Sequence, residues 1–419
     1  MTISQHGRTF EKPYRTWGAS AFNLLGRRLR HWGWKRPLTV QGLLDSAYRY
    51  TRLSDWGEER FHEPLRVLVQ SLEEEAELTP LGRLFMKVNL RHFLANRLWV
   101  RQYVKQHPQA LQEPLPRPLF VVGLPRTGTT LLYNLLCQDD SRRPLRLWEA
   151  LQPAPNGDLA GGKRDVRRTK AQLFVHVINR WGAPTLRSVH PLDADEPEEC
   201  TTLLLNTFIS PAFSLLGNVP SYVAWMRGRG RELMPWVYEQ YRTYLQVLQH
   251  QDRRAAWVLK SPAHSFALQA LLTVFPDACV VRTNRDIKQV IPSACSLFAI
   301  VQGLYSDKVD CRRLGPEILR EMNDLQQYVR QDADRNPERV FSVEYRSLVS
   351  DPIDAVTRIY RHFDLPLEER MEQRMREWLT RNPANKHGVH RYDLAQFGLT
   401  EEDVSANIES RMSEPSLIG

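Results

Sequence analysis

Leu119-Phe-Val-Val-Gly123-Leu-Pro-Arg126-Thr-Gly128-Thr-Thr130-Leu-Leu-Tyr133 decides the fold. A short apolar run rich in valine reads as a buried strand. A glycine-bounded turn follows, and an amphipathic helix opens at Thr129. A strand–loop–helix turn of this kind aims several backbone N–H groups and a helix N-terminus at one point, which makes it a cradle for phosphate.

The loop lies close to the phosphate-binding pattern of nucleotide hydrolases: glycine, four residues, glycine, lysine, then serine or threonine. Gly123 and Gly128 have that spacing, but Thr129 stands at the lysine position and the one fixed cation is Arg126. Without the lysine the loop is poorly built to neutralise a β/γ-phosphate pair with magnesium. It can still hold a single 5′-phosphate, with Arg126 reaching a group attached to it. A tight turn in some other α/β fold is the bland alternative for the loop alone.

Two later segments bear on that choice. Trp257-Val-Leu-Lys260-Ser-Pro-Ala-His264 leads to Phe275-Pro-Asp-Ala-Cys-Val-Val-Arg282-Thr-Asn-Arg285-Asp286, and Ser293 follows Arg285 by eight residues. Asn385-Lys386-His387-Gly388-Val-His390-Arg391-Tyr392 is a basic, glycine-containing stretch near the C-terminus. In this order the segments resemble the sulfotransferases that use 3′-phosphoadenosine 5′-phosphosulfate (PAPS). The resemblance spans roughly residues 116 to 400 and is closest to the bacterial branch with a helical N-terminal extension.

The resemblance implies a fold and a site. The fold is α/β, a P-loop-like core with a central parallel sheet flanked by helices, plus the N-terminal extension. Arg126, Thr127, Gly128, Thr129 and Thr130 would bind the 5′-phosphosulfate. Arg285, Ser293, Lys386, His387 and Gly388 would grip the 3′-phosphate. Arg126 and Lys260 would face the sulfonate and the bridging oxygen, no metal would be needed, and PAP would be the product. The bland readings are a surface pair of Arg285 with Asp286 and a plain helix serine at Ser293.

The base is read from chemistry and from the resemblance. Ser261 suits a helix N-cap and Pro262 the first helical position, which puts His264 in the first turn. A helix N-terminus and Lys260 both disfavour the imidazolium there, leaving the neutral ring that a general base requires. In the animal branch the histidine lies two residues after the lysine, whereas His264 lies four after Lys260. The rival lies in His190-Pro-Leu-Asp193-Ala-Asp195-Glu196-Pro-Glu198-Glu199-Cys200. Most of these carboxylates read as helix-start charges, with Glu196 or Glu199 the alternative base. A structural histidine at 264 is the bland reading.

The remaining chain is that of an ordinary globular protein of 419 residues, 42% hydrophobic and 25% charged. Residues 1–115 read as a helical N-terminal extension, 116–400 as the core and 401–419 as a polar tail. Within the core, 157–251 reads as a helical insert around the acceptor. Helical spacing runs through Thr39 to Tyr50, Glu63 to Glu75, Pro80 to His107 and Ile353 to Phe363. Strands read at Leu119 to Val122, Trp257 to Leu259, Ala278 to Thr283 and Arg339 to Val343. Five scattered cysteines argue for a reducing compartment, and with no secretory signal the expectation is a cytoplasmic enzyme. No run reads as a membrane span.

Net charge is +9, and the first 36 residues hold eight Lys or Arg against one acid. Phe22, Leu25, Leu29 and Trp32 recur at helical spacing beside Arg27, Arg28 and Arg30. Such a helix either buries its apolar face on the body or lies on an anionic membrane surface, at the inner face of the cell membrane; residues 14–36 carry that membrane expectation. No basic cluster interleaved with aromatics points to nucleic acid. Phe208, Phe213, Tyr222, Trp225, Trp236 and Tyr238 read either as core or as the wall of an acceptor pocket. The acceptor expected is a hydroxylated hydrophobic or aromatic small molecule, with a carbohydrate or a carrier-bound chain as alternatives. The competing functions are a P-loop-type nucleotide kinase or NTPase, and a non-catalytic PAPS-fold protein that binds lipid or membrane.

Overall fold

Five parallel strands form one sheet in the order β2-β3-β1-β4-β5: β1 Leu119–Val122, β2 Arg142–Pro144, β3 Ala256–Lys260, β4 Cys279–Asn284 and β5 Val340–Glu344. The computed structural model describes residues 15–28, 37–156, 165–178, 192–253, 256–383 and 394–406. β1 lies between β3 and β4, with Val121 opposite Lys260 and Val122 opposite Arg282. All four of its residues are buried, as a parallel sheet covered on both faces requires. Alternation sorts them: Phe120 and Val122 join a large apolar cluster, Leu119 and Val121 a smaller one on the other face.

Four of these strands lie where the apolar runs predict them. β2 does not, because its sequence is Arg-Arg-Pro. Burial there is satisfied by arginine chemistry instead of apolar side chains. The Arg143 guanidinium stacks 4.2 Å over the Trp257 ring, pairs with Glu149 and donates to the Asp252 carbonyl. The Arg142 guanidinium donates to the Arg117 carbonyl at 3.0 Å.

The helices used below are α1 Trp17–Arg28, α2 Val40–Thr51, α3 His62–Glu74, α4 Pro80–Gln106, α5 Thr129–Leu136, α6 Arg167–Val177, α7 Met234–Gln251, α8 Ile287–Tyr305, α9 Cys311–Asp334, α10 Pro352–His362 and α11 Glu369–Arg381. The N-terminal helices start as their sequences dictate. Thr39 caps α2 by accepting from the Gly42 N–H, and Thr79 caps α4 at 3.0 Å from the Gly82 N–H with Pro80 next. Leu43, Leu65, Leu68, Leu90 and Phe93 of α2–α4 belong to the same cluster as Phe120 and Val122. The helices before β1 therefore share the core of the sheet. α5, α10 and α11 cover the other face through Leu132, Leu136, Val356, Ile359 and Met375.

α8 is long and apolar enough to cross a membrane, with a mean hydropathy of 1.3. Its Val290, Ile291, Ala294 and Cys295 are instead buried against the sheet and its neighbouring helices.

Candidate active site

The loop after β1 is held open by its own side chains. Gly123 has φ +141°, and a Cβ there would lie 2.5 Å from Thr283 Oγ1 and 2.8 Å from the Thr283 carbonyl. Its N–H donates to Ser265 Oγ at 3.2 Å. Thr127 Oγ1 donates to the Leu124 carbonyl at 2.7 Å and sits 2.6 Å from Thr283 Oγ1. The Thr127 side chain thus ties the loop to β4, and what it can offer a ligand is its backbone N–H. Gly128, at φ +90°, starts α5 with no side chain capping the helix. The first N–H groups of α5 have no intrahelical acceptor. They are free for an anion, which the helix dipole also favours. Thr129 is buried and Thr130 exposed.

Arg126 is in the left-handed region at φ +70°, a conformation that costs a non-glycine residue about 1–3 kcal/mol and clusters at ligand sites. Its Nε donates to Ser293 Oγ at 3.1 Å. Arg285 Nη1 donates to the Arg126 carbonyl at 2.9 Å, and its guanidinium lies 4.1 Å over the Tyr345 ring. Arg126, Arg285 and Ser293 therefore form one group between the ends of β1 and β4. The Arg126 guanidinium, expected at the sulfonate, here reaches Ser293, the residue expected at the 3′-phosphate. Arg285 does not pair with Asp286, which caps α8 by accepting from the Lys288 N–H at 3.0 Å.

The second group is at the end of β3. Lys260 is 3% exposed, and its Nζ donates to Glu199 Oε1 at 2.5 Å. The chain around Glu199 is pinned to β3: the Cys200 N–H donates to the Lys260 carbonyl at 2.9 Å, and Thr201 Oγ1 lies 2.7 Å from Ser261 Oγ. Thr201 Oγ1 also donates to Glu199 Oε2 at 3.2 Å. Glu199 keeps a quarter of its side chain in solvent. Ser261 is the N-cap its sequence predicts, accepting from the Ala263 N–H at 3.1 Å.

His264 is not beside this pair. Pro262–Phe266 forms a 3-10 turn, and His264 is wholly buried. Its ring packs edge-on against Phe120 at 5.3 Å and Tyr241 at 5.6 Å. Nδ1 is 3.1 Å from the Tyr238 hydroxyl, and Nε2 has no partner among the described residues. Phe120 and Val121 point to opposite faces of the sheet, and Lys260 is in register with Val121. Burial pushes the imidazole down to about 3. The ring is neutral, as expected, but through burial and not through a helix N-terminus. His264, read as the general base, has no solvent exposure in this structure.

The other acids separate as well. Glu196 is exposed; its carbonyl accepts from the Leu147 N–H, and its carboxylate makes no hydrogen bond or ion pair among the described residues. Asp195 pairs with Arg168, which holds its carboxyl below the usual range. His190, Lys386, His387 and Gly388 lie outside the described residues. Among the described residues no cluster of His, Cys, Asp and Glu could hold a metal ion. The five cysteines are free thiols.

Of the aromatics offered as pocket wall, Phe208, Phe213, Tyr222, Trp236 and Tyr238 are fully buried core. A void of about 30 Å³, the size of one water, lies among Tyr222, Met226, Phe266, Leu325 and Tyr328. Glu321 borders it, with a carboxyl pushed up to about 7 by burial. Sequence reasoning missed Tyr345, Thr283 and Ser265 as supports of the donor group. Tyr345 carried a signal, since it directly follows the apolar run at Arg339 to Val343 and Glu344.

Comparison with known proteins places these observations. A sequence model of the sulfotransferase family matches residues 118–369. The omega-hydroxy-beta-dihydromenaquinone-9 sulfotransferase Stf3 of Mycobacterium bovis is 27% identical over 308 residues, covering 68% of this chain and 72% of the relative. Among solved structures, sulfotransferase STF1 of Mycobacterium tuberculosis H37Rv is 31% identical with a TM-score of 0.78, over 90% of this chain and 100% of its own. Sulfotransferase STF9 of Mycobacterium avium is 30% identical with a TM-score of 0.80, over 89% and 96%.

Proposed function

The chain belongs to the sulfotransferase family and is a sulfotransferase, and from that premise we propose that it moves the sulfuryl group of PAPS to a hydroxyl of a hydrophobic small molecule, with Glu199 as general base. One observation carries the reading: the cationic group Arg126–Arg285–Ser293, after β1 and β4, and the Lys260–Glu199 ion pair, at the end of β3, stand at the C-terminal ends of neighbouring strands beside an uncapped helix N-terminus.

The residues present suit the donor. The free N–H groups of the Gly128 turn and α5 take the 5′-phosphate. Arg126, Arg285 and Ser293 take the 3′-phosphate, aided by Lys386, His387 and Gly388. PAPS, once bound, supplies a sulfuryl group on a leaving group that departs as the anion PAP. Lys260 stabilises the charge that develops there, since a cation in a dry site is worth far more than in water. It also orients Glu199. The acceptor proton goes to Glu199 Oε2, the oxygen Lys260 leaves free, whose neighbour is the Thr201 hydroxyl. Glu199 has the exposure that this task needs and His264 lacks it. Glu196, the other acidic candidate, has no contact with Lys260 to orient it.

Support for an apolar acceptor is the relative named for a dihydromenaquinone alcohol. Calorimetric titration of the protein with PAP, without magnesium and beside ATP, tests the donor assignment. Tight PAP binding with weak ATP binding is the expected result. A magnesium-dependent preference for ATP would overturn it and restore the nucleotide kinase.

A further inference from the structure

α1 is inside out. Its buried residues are Ala19, Asn23 and Gly26, spaced four and three apart on one face. Asn23 Oδ1 accepts from the Leu81 N–H at 2.9 Å, and Gly26 packs directly against Pro80. Before the helix, Arg15 donates to the carbonyls of Gly303 and Ser306 at 2.8 Å each. These contacts fix α1 by its small and polar face. The opposite face carries Trp17, 87% exposed, with Leu24 and Leu25 at 55% and 58%. Those three and Arg28 recur at helical spacing. On the adjoining first turns of α4, Leu84 and Val88 are also exposed. Of the apolar series read in the sequence, Phe22 is half-buried and Leu25 faces away from the body. Leu29, Arg30 and Trp32 lie outside the described residues.

The charges around the patch decide what covers it. On its acidic flank Asp307 is paired with Arg15 and Arg27, Glu73 with Arg83, and Glu77 with Lys308. Arg28 and Lys87 have no ion-pair partner among the described residues. An exposed Trp–Leu–Leu stripe ending in arginine, with lysine alongside and a strongly basic N-terminal segment, is complementary to an anionic lipid surface. There the indole and leucines enter the headgroup boundary while the cations meet phosphate. A hydrophobic partner protein would not need these exposed cations.

We propose that α1 and the start of α4 form a peripheral docking face for anionic membranes. The face is built from residues separate from the donor site. Ser293 lies twelve residues up α8 from Tyr305, whose carbonyl accepts from the Thr79 N–H at the start of α4. At 1.5 Å per residue this is about 18 Å.

Co-sedimentation of the full chain with vesicles tests it. Vesicles of phosphatidylcholine with phosphatidylglycerol should bind the protein, and phosphatidylcholine alone should bind at least about tenfold less. Added salt should weaken the binding. Leu24→Asp with Leu25→Asp should lower it by about tenfold or more, since both apolar contacts are lost. Arg28→Glu with Lys87→Glu should remove most of the preference for anionic lipid. PAP titrations should be unchanged in both variants, which separates this proposal from the donor assignment. Absence of vesicle binding, or equal binding by the Asp variant, would overturn it. So would light scattering that shows a dimer which the Asp variant makes monomeric, because the face would then be covered by a second copy of the chain.

Discussion

The donor end and the base end of the site are built by different rules. At the donor end, the Gly123–Gly128 loop, Arg285 and Ser293 follow directly from β1 and β4, and their positions are set by local chain geometry. At the base end, Lys260 takes its place from β3, but its partner Glu199 is 61 residues away in sequence. That partner is held by the Cys200–Lys260 backbone bond and the Thr201–Ser261 hydroxyl contact. Local motifs can specify where an anion binds. Which side chain takes a proton depends on which of several candidates packing leaves in solvent.

Mutations can break this division. Lys260→Ala should lower the single-turnover rate at saturating PAPS by about 10²–10³, as for loss of one preorganised charge stabiliser, with PAP affinity changed much less. A comparable loss of PAP affinity would put Lys260 at the donor end. Arg285→Ala should weaken PAP binding about tenfold to hundredfold, the worth of a charged hydrogen bond, with the folded stability near wild type. If PAP binding survives, the donor end has been misassigned.

A pH measurement sharpens the contrast from the other side. Below pH 6.5 an unfolded chain takes up a proton at His264 that the buried ring does not take until about pH 3. Across that window His264 makes stability fall as pH falls, by about 1.4 kcal/mol per unit. Urea unfolding of His264→Gln should show a shallower acid slope, by about one proton. An unchanged slope would mean that the ring titrates normally and is open to solvent. Ser293→Ala is the smallest change: PAP affinity should drop only severalfold, about 1 kcal/mol. A loss as large as that of Arg285→Ala would make the hydroxyl, and not the guanidinium, the main 3′-phosphate contact.

The sequence was most legible where residues act through the backbone. β1 begins and ends at Leu119 and Val122 as read, and the loop glycines take the positive φ values that their spacing implies. It was least legible where a side chain's direction decides the role. Arg126 sits at φ +70° with its guanidinium on Ser293, which no residue type announces. His264 follows a correctly read N-cap, yet the turn it lies in is 3-10 and aims the ring at Phe120. In α1 the sequence left open which face is buried; the contacts of Asn23 and Gly26 with the start of α4 turn Leu25 to the outside. β2 escaped notice because two buried arginines do the work usually done by valines.

The central claim is that Glu199, oriented by Lys260, takes the acceptor proton. Single-turnover formation of PAP by Glu199→Gln and His264→Gln, with an alcohol the wild-type enzyme accepts, tests it most directly. The Glu199 variant should be slower by about 10²–10⁴, while the His264 variant should stay within severalfold of wild type and lose stability instead. A rate that collapses in His264→Gln and persists in Glu199→Gln would contradict the account.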